Sequence, residues 1–316
     1  MTDARAKVFV ARRLPGGALG RLEAEHEADV WEERLPPPAS DLAARAADAE
    51  GLLTLLADAV TAEVIDSAPR LRAISNYAVG VDNIDVAAAT ARGIPVGHTP
   101  DVLTETTADL ALALMLGGAR RVVEGDALVR RGEWLTWDPG LLLGHDLHHS
   151  TVGVVGMGRI GRAVARRVEG FGAEVIHSGR HGGVPLDELL ERSDFVTLHC
   201  PLTPETRGLI DAAALARMQR DAYLVNTARG PIVDTPALIE ALRSGAIAGA
   251  ALDVTDPEPL PGDHPLLEAP NLLVLPHLGS ATHATRERMA DLAVDNLLAG
   301  LAGTRMPKCV NPEVYE

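Results

Sequence analysis

The chain has 316 residues, 47% of them hydrophobic, which is enough for two domains that each bury a core. Its formal net charge of -15 at pH 7 opposes binding to phosphate backbones and anionic lipids, so neither a nucleic acid nor a membrane is expected as a partner. The two cysteines, Cys200 and Cys309, are too few for a disulfide framework. Because Met1–Lys7 also lacks the apolar core of a signal peptide, a soluble cytoplasmic protein is expected.

The first hundred residues alternate between strand-like and helix-like segments. Ala-rich stretches with helical spacing, such as Asp41–Ala49 and Thr61–Ala68, separate short apolar runs. Short strands that alternate with helices predict a parallel sheet covered on both faces. The strands are predicted at Lys7–Ala11, Gly51–Leu56, Leu71–Asn76 and Ile94–Val96.

A second alternating series begins after a helix predicted over Thr104–Gly117. Six apolar runs with helices between them are typical of a dinucleotide-binding domain. A last helix, Ala281–Leu301, is expected to return to the first domain, so that the second domain is an insertion within the first. The six strands are predicted at Thr151–Val155, Glu174–His177, Phe195–His199, Ala222–Asn226, Gly249–Val254 and Leu272–Leu275.

The predicted fold class is therefore α/β, with two Rossmann-like domains built on doubly wound parallel sheets. A flavodoxin-like substrate domain would comprise residues 1–99 and 285–316, and the cofactor domain residues 100–284. Within the cofactor domain, residues 120–150 fit neither sheet. This segment carries more apolar surface than a simple connection needs, because it contains Trp134, Trp137 and the run Leu141–Leu143. We predict that this segment is a dimerisation arm; the alternative is a long loop folded onto its own domain.

A glycine-rich turn follows the strand Thr151–Val155 and opens a helix predicted over Ile160–Glu169. This context of strand, turn and helix is what identifies a G-x-G-x-x-G sequence as a dinucleotide site. The first glycine permits a tight turn, the second lets the backbone approach the pyrophosphate, and the third lets the helix pack closely, while the helix amino terminus stabilises negative charge. The cofactor contacts predicted here are Gly156, Gly158, Arg159, Ile160 and Gly161.

The end of the second strand of this domain indicates which dinucleotide binds. An NAD site usually places Asp or Glu roughly 20 residues after the turn to hold the ribose 2′-hydroxyl. Ser178, Gly179 and Arg180 occupy this region instead, and no carboxylate occurs before Asp187. Arg180 offers a 2′-phosphate a charge-assisted partner with nothing nearby to repel it, so NADPH is predicted, with NADH as the alternative. The competing role for Arg180 is stacking on adenine.

Three polar side chains follow the carboxyl ends of predicted strands, where open α/β sheets bind ligands. They are Arg229, Glu258 and His277. Hydride arriving at a keto carbon drives charge onto its oxygen, so a proton donor is needed, and His277 with a carboxylate from Glu258 would supply one. Arg229 offers a planar fork for a substrate carboxylate and its carbonyl. Each residue also has a non-catalytic alternative: Arg229 could cap a helix, Glu258 could lie in a solvated turn, and His277 could be a structural histidine.

Four longer runs are more specific than the glycine motif: Ser75–Asp85, Thr99–Ala108, Asp253–Pro261 and Pro276–His283. Over nearly the full length, the chain resembles the D-2-hydroxyacid dehydrogenases, most closely the glyoxylate/hydroxypyruvate reductase branch. The resemblance implies reduction of glyoxylate to glycolate and of hydroxypyruvate to D-glycerate. It also implies a homodimer formed through the cofactor domains, and catalytic roles for the arginine, glutamate and histidine named above.

The same resemblance implies further contacts. Backbone amides at Val79 and Gly80 would hold the substrate carboxylate, and Asp253 would bind the nicotinamide carboxamide. Relatives often carry an aromatic residue near Leu141 that reaches a neighbour's pocket, so the leucine here leaves the preferred keto acid open. Further cofactor contacts are implied at Thr107, Cys200, Pro201, Thr227, Ala228 and Gly279.

Other classes of protein share parts of this pattern. An NAD-dependent D-2-hydroxyacid or phosphoglycerate dehydrogenase is the nearer alternative, although the missing acid after His177 argues against NAD. Glu258 disfavours a formate dehydrogenase, and a nucleotide-sensing corepressor of the same fold is the alternative from another class. No regulatory domain is expected after the last helix. No metal site is predicted, because the spacing of His145, His148 and His149 does not favour one.

Overall fold

The structure is a computed structural model that describes residues 5–180 and 182–316. Residues 1–4 and His181 lie outside the described residues. The prediction that the amino terminus has no signal peptide falls partly on residues 1–4. The chain forms two compact units: the first runs to Leu103 and resumes over Ala281–Glu316, and the second is Thr104–Ser280. Each unit is an α/β arrangement on a parallel sheet, which confirms the predicted fold class.

The first unit contains a five-stranded parallel sheet flanked by short helices. Its strands are β1 (Lys7–Val10), β2 (Glu27–Val30), β3 (Gly51–Thr54), β4 (Ala73–Asn76) and β5 (Val96–Gly97). Its first four helices are α1 (Ala18–Glu25), α2 (Ala39–Asp48), α3 (Ala62–Asp66) and α4 (Val86–Ala91). The strand order is β2-β1-β3-β4-β5, a doubly wound arrangement in which the chain reverses direction across the sheet between β1 and β3.

The sequence analysis missed β2. This strand lies at the sheet edge, pairs with β1 alone, and alternates between exposed and half-buried residues. It therefore carries no apolar run, whereas all four residues of β3 and of β4 are buried and were predicted. Its backbone pairing, which begins with the amide of Glu27 donating to the carbonyl of Ala6 at 2.9 Å, is a long-range contact that local periodicity does not reveal.

The second unit contains a six-stranded parallel sheet. Its strands are β6 (Thr151–Val155), β7 (Glu174–Ser178), β8 (Phe195–Leu198), β9 (Tyr223–Asn226), β10 (Gly249–Leu252) and β11 (Leu272–Val274). Its helices are α5 (Thr104–Ala119), α6 (Val122–Arg130), α7 (Arg159–Glu169), α8 (Leu186–Arg192), α9 (Ala212–Arg217) and α10 (Thr235–Ser244). The strand order is β11-β10-β9-β8-β6-β7, so the direction of winding reverses between β6 and β8, where such sheets bind ligands at their carboxyl edge.

Helix starts in both units are set by short polar side chains. The Asp85 carboxylate accepts the amide of Ala88 at 2.9 Å before α4, and Asp234 accepts the amide of Ala237 at 2.9 Å before α10. Such caps satisfy amides that the helix itself leaves unpaired. Thr282 caps the long carboxyl-terminal helix α11 (His283–Leu301), which packs on β3 and β4 of the first unit.

The segment predicted as an arm is a short helix followed by an extended, apolar stretch. No residue of α6 is buried. Beyond it, Trp134, Leu135 and Trp137 are 57%, 90% and 77% exposed. Their apolar surface is therefore not buried within the chain's own fold. A loop folded onto its own domain would bury such surface. Among the described residues, no helix combines the length and the apolar character needed to cross a membrane.

Candidate active site

The carboxyl edge of the six-stranded sheet collects the predicted polar residues of the second unit. Because all six strands are parallel, the loops that follow them emerge at the same edge. The glycine-rich turn follows β6, and Ser178 ends β7. Cys200, Arg229, Asp253 and His277 come after β8, β9, β10 and β11 respectively.

The glycine-rich turn has the shape that a dinucleotide requires. Gly156 has φ +98, and a Cβ there would lie 2.6 Å from the amide nitrogen of Cys200, so glycine is required. A Cβ at Gly161 would collide with the carbonyl of Gly156. Gly158, by contrast, faces open space and precedes α7 without a side-chain cap, which leaves amides at that helix start available to a phosphate. These residues fit a pyrophosphate.

The end of β7 lies directly beside this turn. The amide of Gly156 donates to the carbonyl of Ser178 at 2.8 Å, and a Cβ at Gly179 would sit 3.7 Å from the Cα of Gly156, an ordinary contact. Arg180 is exposed. The pKa of the exposed Glu205 carboxyl is lowered, first by a hydrogen bond from Thr203 and, among lesser causes, by the charge of Arg180.

Two half-buried, uncharged residues, His199 and Cys200, lie beside the turn. His199 keeps some accessible surface, yet packed atoms surround its ring, and this burial lowers its pKa to about 4. Its Nε2 is hydrogen-bonded to Thr197 Oγ1 at 2.9 Å, and its Nδ1 lies 3.4 Å from Thr227 Oγ1. Burial likewise raises the pKa of the Cys200 thiol to about 11, so it carries no charge at neutral pH. The sequence analysis missed His199, because a histidine at a strand end has no signature of its own.

The loop that carries Arg229 is held by the last residue of β9. Asn226 is buried; its Oδ1 accepts the amide of Ala228 and its Nδ2 donates to the carbonyl of Arg229, both at 2.9 Å. Gly230 packs so closely on the carbonyl of Thr255 that any side chain there would collide. The glycine after Arg229 thus brings this loop against the loop that leads to Glu258.

His277 and Glu258 are hydrogen-bonded to each other. His277 Nδ1 lies 2.6 Å from Glu258 Oε1, and the two side chains are 25% and 31% exposed. The loop that carries the glutamate has cis peptide bonds at Asp256–Pro257 and Glu258–Pro259. A carboxylate bound at Nδ1 orients the ring, stabilises positive charge on it and leaves proton exchange to Nε2.

Asp253 fixes the backbone on which His277 sits. Its carbonyl accepts the amide of His277 at 2.8 Å, while its Oδ1 and Oδ2 accept the amides of Leu278 and Gly279 at 2.6 and 2.8 Å. Three consecutive amides thus converge on one residue, and they hold His277 at φ +55, a left-handed conformation that is rare outside glycine. Burial raises the pKa of Asp253, and the amide donors and the neighbouring His277 oppose that shift.

The remaining predicted residues fall into two groups. Thr107, on α5, donates from Oγ1 to the carbonyl of Gly279 at 3.1 Å, which joins it to the histidine loop, whereas Pro201 is exposed beside Cys200. Val79 and Gly80 lie in the first unit, after β4. Within the described residues, no group of three or more His, Cys, Asp or Glu side chains is placed to bind a metal ion.

Comparisons with known proteins show which family the chain is similar to. Residues 112–279 match the family model of the D-isomer specific 2-hydroxyacid dehydrogenase NAD-binding domain. The chain is 49% identical to a glyoxylate reductase of Korarchaeum cryptofilum, over 99% of this chain and 98% of that one. It is 46% identical to a glyoxylate reductase of Pyrococcus furiosus, over 99% and 97% of the two chains.

Solved structures give the same picture. A protein of Thermus thermophilus is 52% identical with a TM-score of 0.92, covering 96% of this chain and 99% of that one. An NADPH-dependent glyoxylate/hydroxypyruvate reductase from Sinorhizobium meliloti, solved with NADP and malonate, is 34% identical with a TM-score of 0.86, covering 98% of each chain. The fold and site define an NAD(P)-dependent oxidoreductase. The chain belongs to the D-isomer specific 2-hydroxyacid dehydrogenase family.

Proposed function

We propose that this enzyme is an NADPH-dependent reductase of small 2-keto acids, converting glyoxylate to glycolate and hydroxypyruvate to D-glycerate in the cytoplasm. The observation that carries the proposal is the 2.6 Å hydrogen bond between His277 and Glu258 at the sheet edge that also bears the glycine-rich turn. Relatives named glyoxylate reductase support the substrate class. The free thiols Cys200 and Cys309 suit a reducing compartment.

The side chains have distinct tasks in the proposed reaction. A nicotinamide held at this edge would supply a hydride to the keto carbon, and the electron pair of the carbonyl bond would then move onto oxygen. His277 donates its Nε2 proton to that oxygen, which completes the hydroxyl group, and then takes a proton from water before the next turnover. Glu258 stabilises the imidazolium before the transfer, and Arg229 binds the substrate carboxylate and polarises its carbonyl.

The other contacts divide between substrate and cofactor. We assign the amides of Val79 and Gly80 to the substrate carboxylate, and Asp253 to the nicotinamide carboxamide. The glycine-rich turn would hold the pyrophosphate, because its geometry leaves helix amides available. Uncharged Cys200 and His199 suit that neighbourhood, since neither adds a charge beside the anionic phosphates.

Steady-state oxidation of NADPH and of NADH, each with glyoxylate and with hydroxypyruvate, tests the proposal directly. Turnover of either acid, faster with NADPH, is expected. Turnover with NADH alone would overturn the cofactor assignment and favour the NAD-dependent alternative. The absence of turnover with both cofactors would contradict the reductase and favour a binding protein such as the corepressor.

The preference for NADPH rests on Ser178, Gly179 and Arg180. The Gly179→Asp substitution fits sterically, because its Cβ would lie 3.7 Å or more from the glycine-rich turn, and it introduces the carboxylate that an NAD site uses. A charge-assisted hydrogen bond contributes about 1.5–3 kcal/mol. We therefore expect the NADPH/NADH ratio of kcat/KM to fall by about tenfold or more.

Gly20→Asp is the matched control, since it adds the same charge at an exposed glycine of α1 with nothing within 4 Å of the added Cβ. An unchanged ratio in Gly179→Asp would refute the assignment of this strand end to the 2′-phosphate.

The homodimer rests on the exposed apolar segment after α6. We expect the protein to sediment at twice its 33.3 kDa chain mass at micromolar concentration. The double substitution Leu135→Ser with Trp137→Ser should shift it toward the monomer, because it removes apolar surface that a second copy would bury. Leu35→Ser is the control, since Leu35 is 74% exposed but lies outside the segment. A monomeric wild-type protein would contradict the dimer.

A further inference from the structure

The loop that follows β4 is held by hydrogen bonds to three consecutive carbonyl oxygens, those of Ala78, Val79 and Gly80. The adjacent residues His98 and Thr99 supply two of the three donors, and Asn76 at the end of β4 supplies the third. The bonds are Thr99 N to Ala78 O at 2.8 Å, His98 Nδ1 to Val79 O at 2.9 Å, and Asn76 Nδ2 to Gly80 O at 2.9 Å. A carbonyl oxygen only accepts, so His98 Nδ1 must carry the proton in its contact.

The amides on the opposite side of the same peptides are not used by the fold. Within the described residues, the N–H groups of Val79 and Gly80 donate to no acceptor. Both residues are half-buried, so each keeps some accessible surface. Two adjacent, unpaired backbone donors are suited to an anion such as a carboxylate.

The geometry of the peptide bond connects these two facts. A trans peptide is planar, and its N–H points away from its C=O. The peptide that joins Val79 to Gly80 therefore aims the Gly80 N–H in the direction opposite to the carbonyl that His98 holds. A hydrogen bond to that carbonyl also polarises the N–H of the same amide group.

The donors that hold the loop are themselves fixed. Asn76 is fully buried, and its carboxamide is oriented by Thr54 Oγ1 at 3.2 Å and by Asn83 Oδ1 at 3.0 Å. The backbone of His98 is held on both sides: its carbonyl accepts from Asn296 Nδ2 at 2.9 Å and its amide donates to the carbonyl of Lys308 at 3.2 Å. The imidazole thus approaches Val79 from a rigid support.

We propose that His98 is a positioning residue for the substrate carboxylate, which aims and polarises the Gly80 amide by holding the carbonyl of Val79, with Asn76 supporting the next peptide. This inference rests on the proposed function, in which the Val79 and Gly80 amides bind that carboxylate. His98 acts through the backbone and does not itself contact the substrate. Donors that are oriented in advance bind an anion at a lower entropic cost than donors on a mobile loop.

The test compares two substitutions of similar size that differ in the hydrogen bond. His98→Asn keeps an N–H donor near the Nδ1 position, whereas His98→Leu has a similar shape without a donor. Loss of one such hydrogen bond should raise the KM for glyoxylate and the inhibition constant of oxalate by about three- to tenfold in His98→Leu. In His98→Asn both should stay within about twofold of wild type. The kcat and the dissociation constant of NADPH should be unchanged in both variants, because the carboxylate loses the same binding energy in the ground state and in the transition state.

The outcomes separate this inference from the proposed function. A wild-type protein without keto-acid turnover would overturn the proposed function. A wild-type enzyme that turns over normally, with equal KM values in the two variants, would overturn the role of His98 alone, as would a fall in kcat or NADPH affinity without a rise in KM. If His98→Leu fails to fold, His98→Gln replaces it, because its amide nitrogen corresponds to Nε2 rather than Nδ1, and the same rise in KM is expected.

Discussion

The His277→Ala variant is expected to lose roughly 10²–10⁴ of kcat with glyoxylate, because it removes the proton donor to the developing alkoxide. The affinity for NADPH should stay within about twofold, since the glycine-rich turn is untouched. The measurement is steady-state oxidation of NADPH at saturating keto acid, together with a fluorescence titration of the cofactor. The hydrogen bond to Glu258 at 2.6 Å and the left-handed backbone held by Asp253 are what orient the ring in the wild-type enzyme.

Two further variants show whether the loss belongs to this histidine. Glu258→Gln keeps a hydrogen-bond acceptor near Nδ1 but removes the charge that stabilises the imidazolium, so a smaller loss of kcat is expected. His148→Ala is the matched control, because His148 is exposed and packs mainly against the ring of His149. Near-full turnover in His277→Ala would refute its assignment as the general acid.

The Arg229→Lys variant is expected to lose about 10²–10³ in kcat/KM for glyoxylate. Lysine keeps the positive charge but not the planar fork that binds a carboxylate and a carbonyl at once, and donors at a developing oxyanion contribute effects of this size. The loop geometry should survive, because Asn226 holds this loop through backbone groups and not through the guanidinium. The comparison of KM and kcat then divides the loss between substrate binding and the transition state.

Arg220→Lys is the matched control for this substitution. Arg220 is exposed and precedes β9, whereas Arg229 follows it, so the two arginines lie at opposite ends of one strand. The control should behave as the wild-type enzyme. An Arg229→Lys variant with wild-type kcat/KM would contradict a bidentate role for the guanidinium.

Much of the fold follows from local pattern. Buried strands such as β3 and β8 have no exposed residue and are mostly apolar in sequence, and their alternation with helices predicts parallel sheets. The glycine-rich turn could also be predicted, because the spacing of its glycines between an apolar strand and a helix is a local sequence pattern. The edge strand β2 lacks an apolar run and could not be predicted in this way.

The types of residue in the candidate site could be predicted from the sequence, but the contacts between them could not. Arg229, Glu258 and His277 could be grouped because parallel strands deliver their carboxyl ends to one edge. The sequence does not show which side chains stand beside Arg180, because loop proximity depends on sheet order. The predicted preference for a 2′-phosphate therefore stays a prediction.

By itself, the amino-acid sequence determined the two parallel sheets, the turn for a dinucleotide and the types of residue at the sheet edge, because periodicity and conformational preference act over a few residues. Only the tertiary structure shows that Asp253 accepts hydrogen bonds from the three consecutive amides of His277, Leu278 and Gly279. It also shows that His98 is hydrogen-bonded to the carbonyl of Val79. Those contacts join residues 19 to 26 positions apart in the chain. Contacts at such separations depend on how whole strands and loops pack, so no local pattern records them.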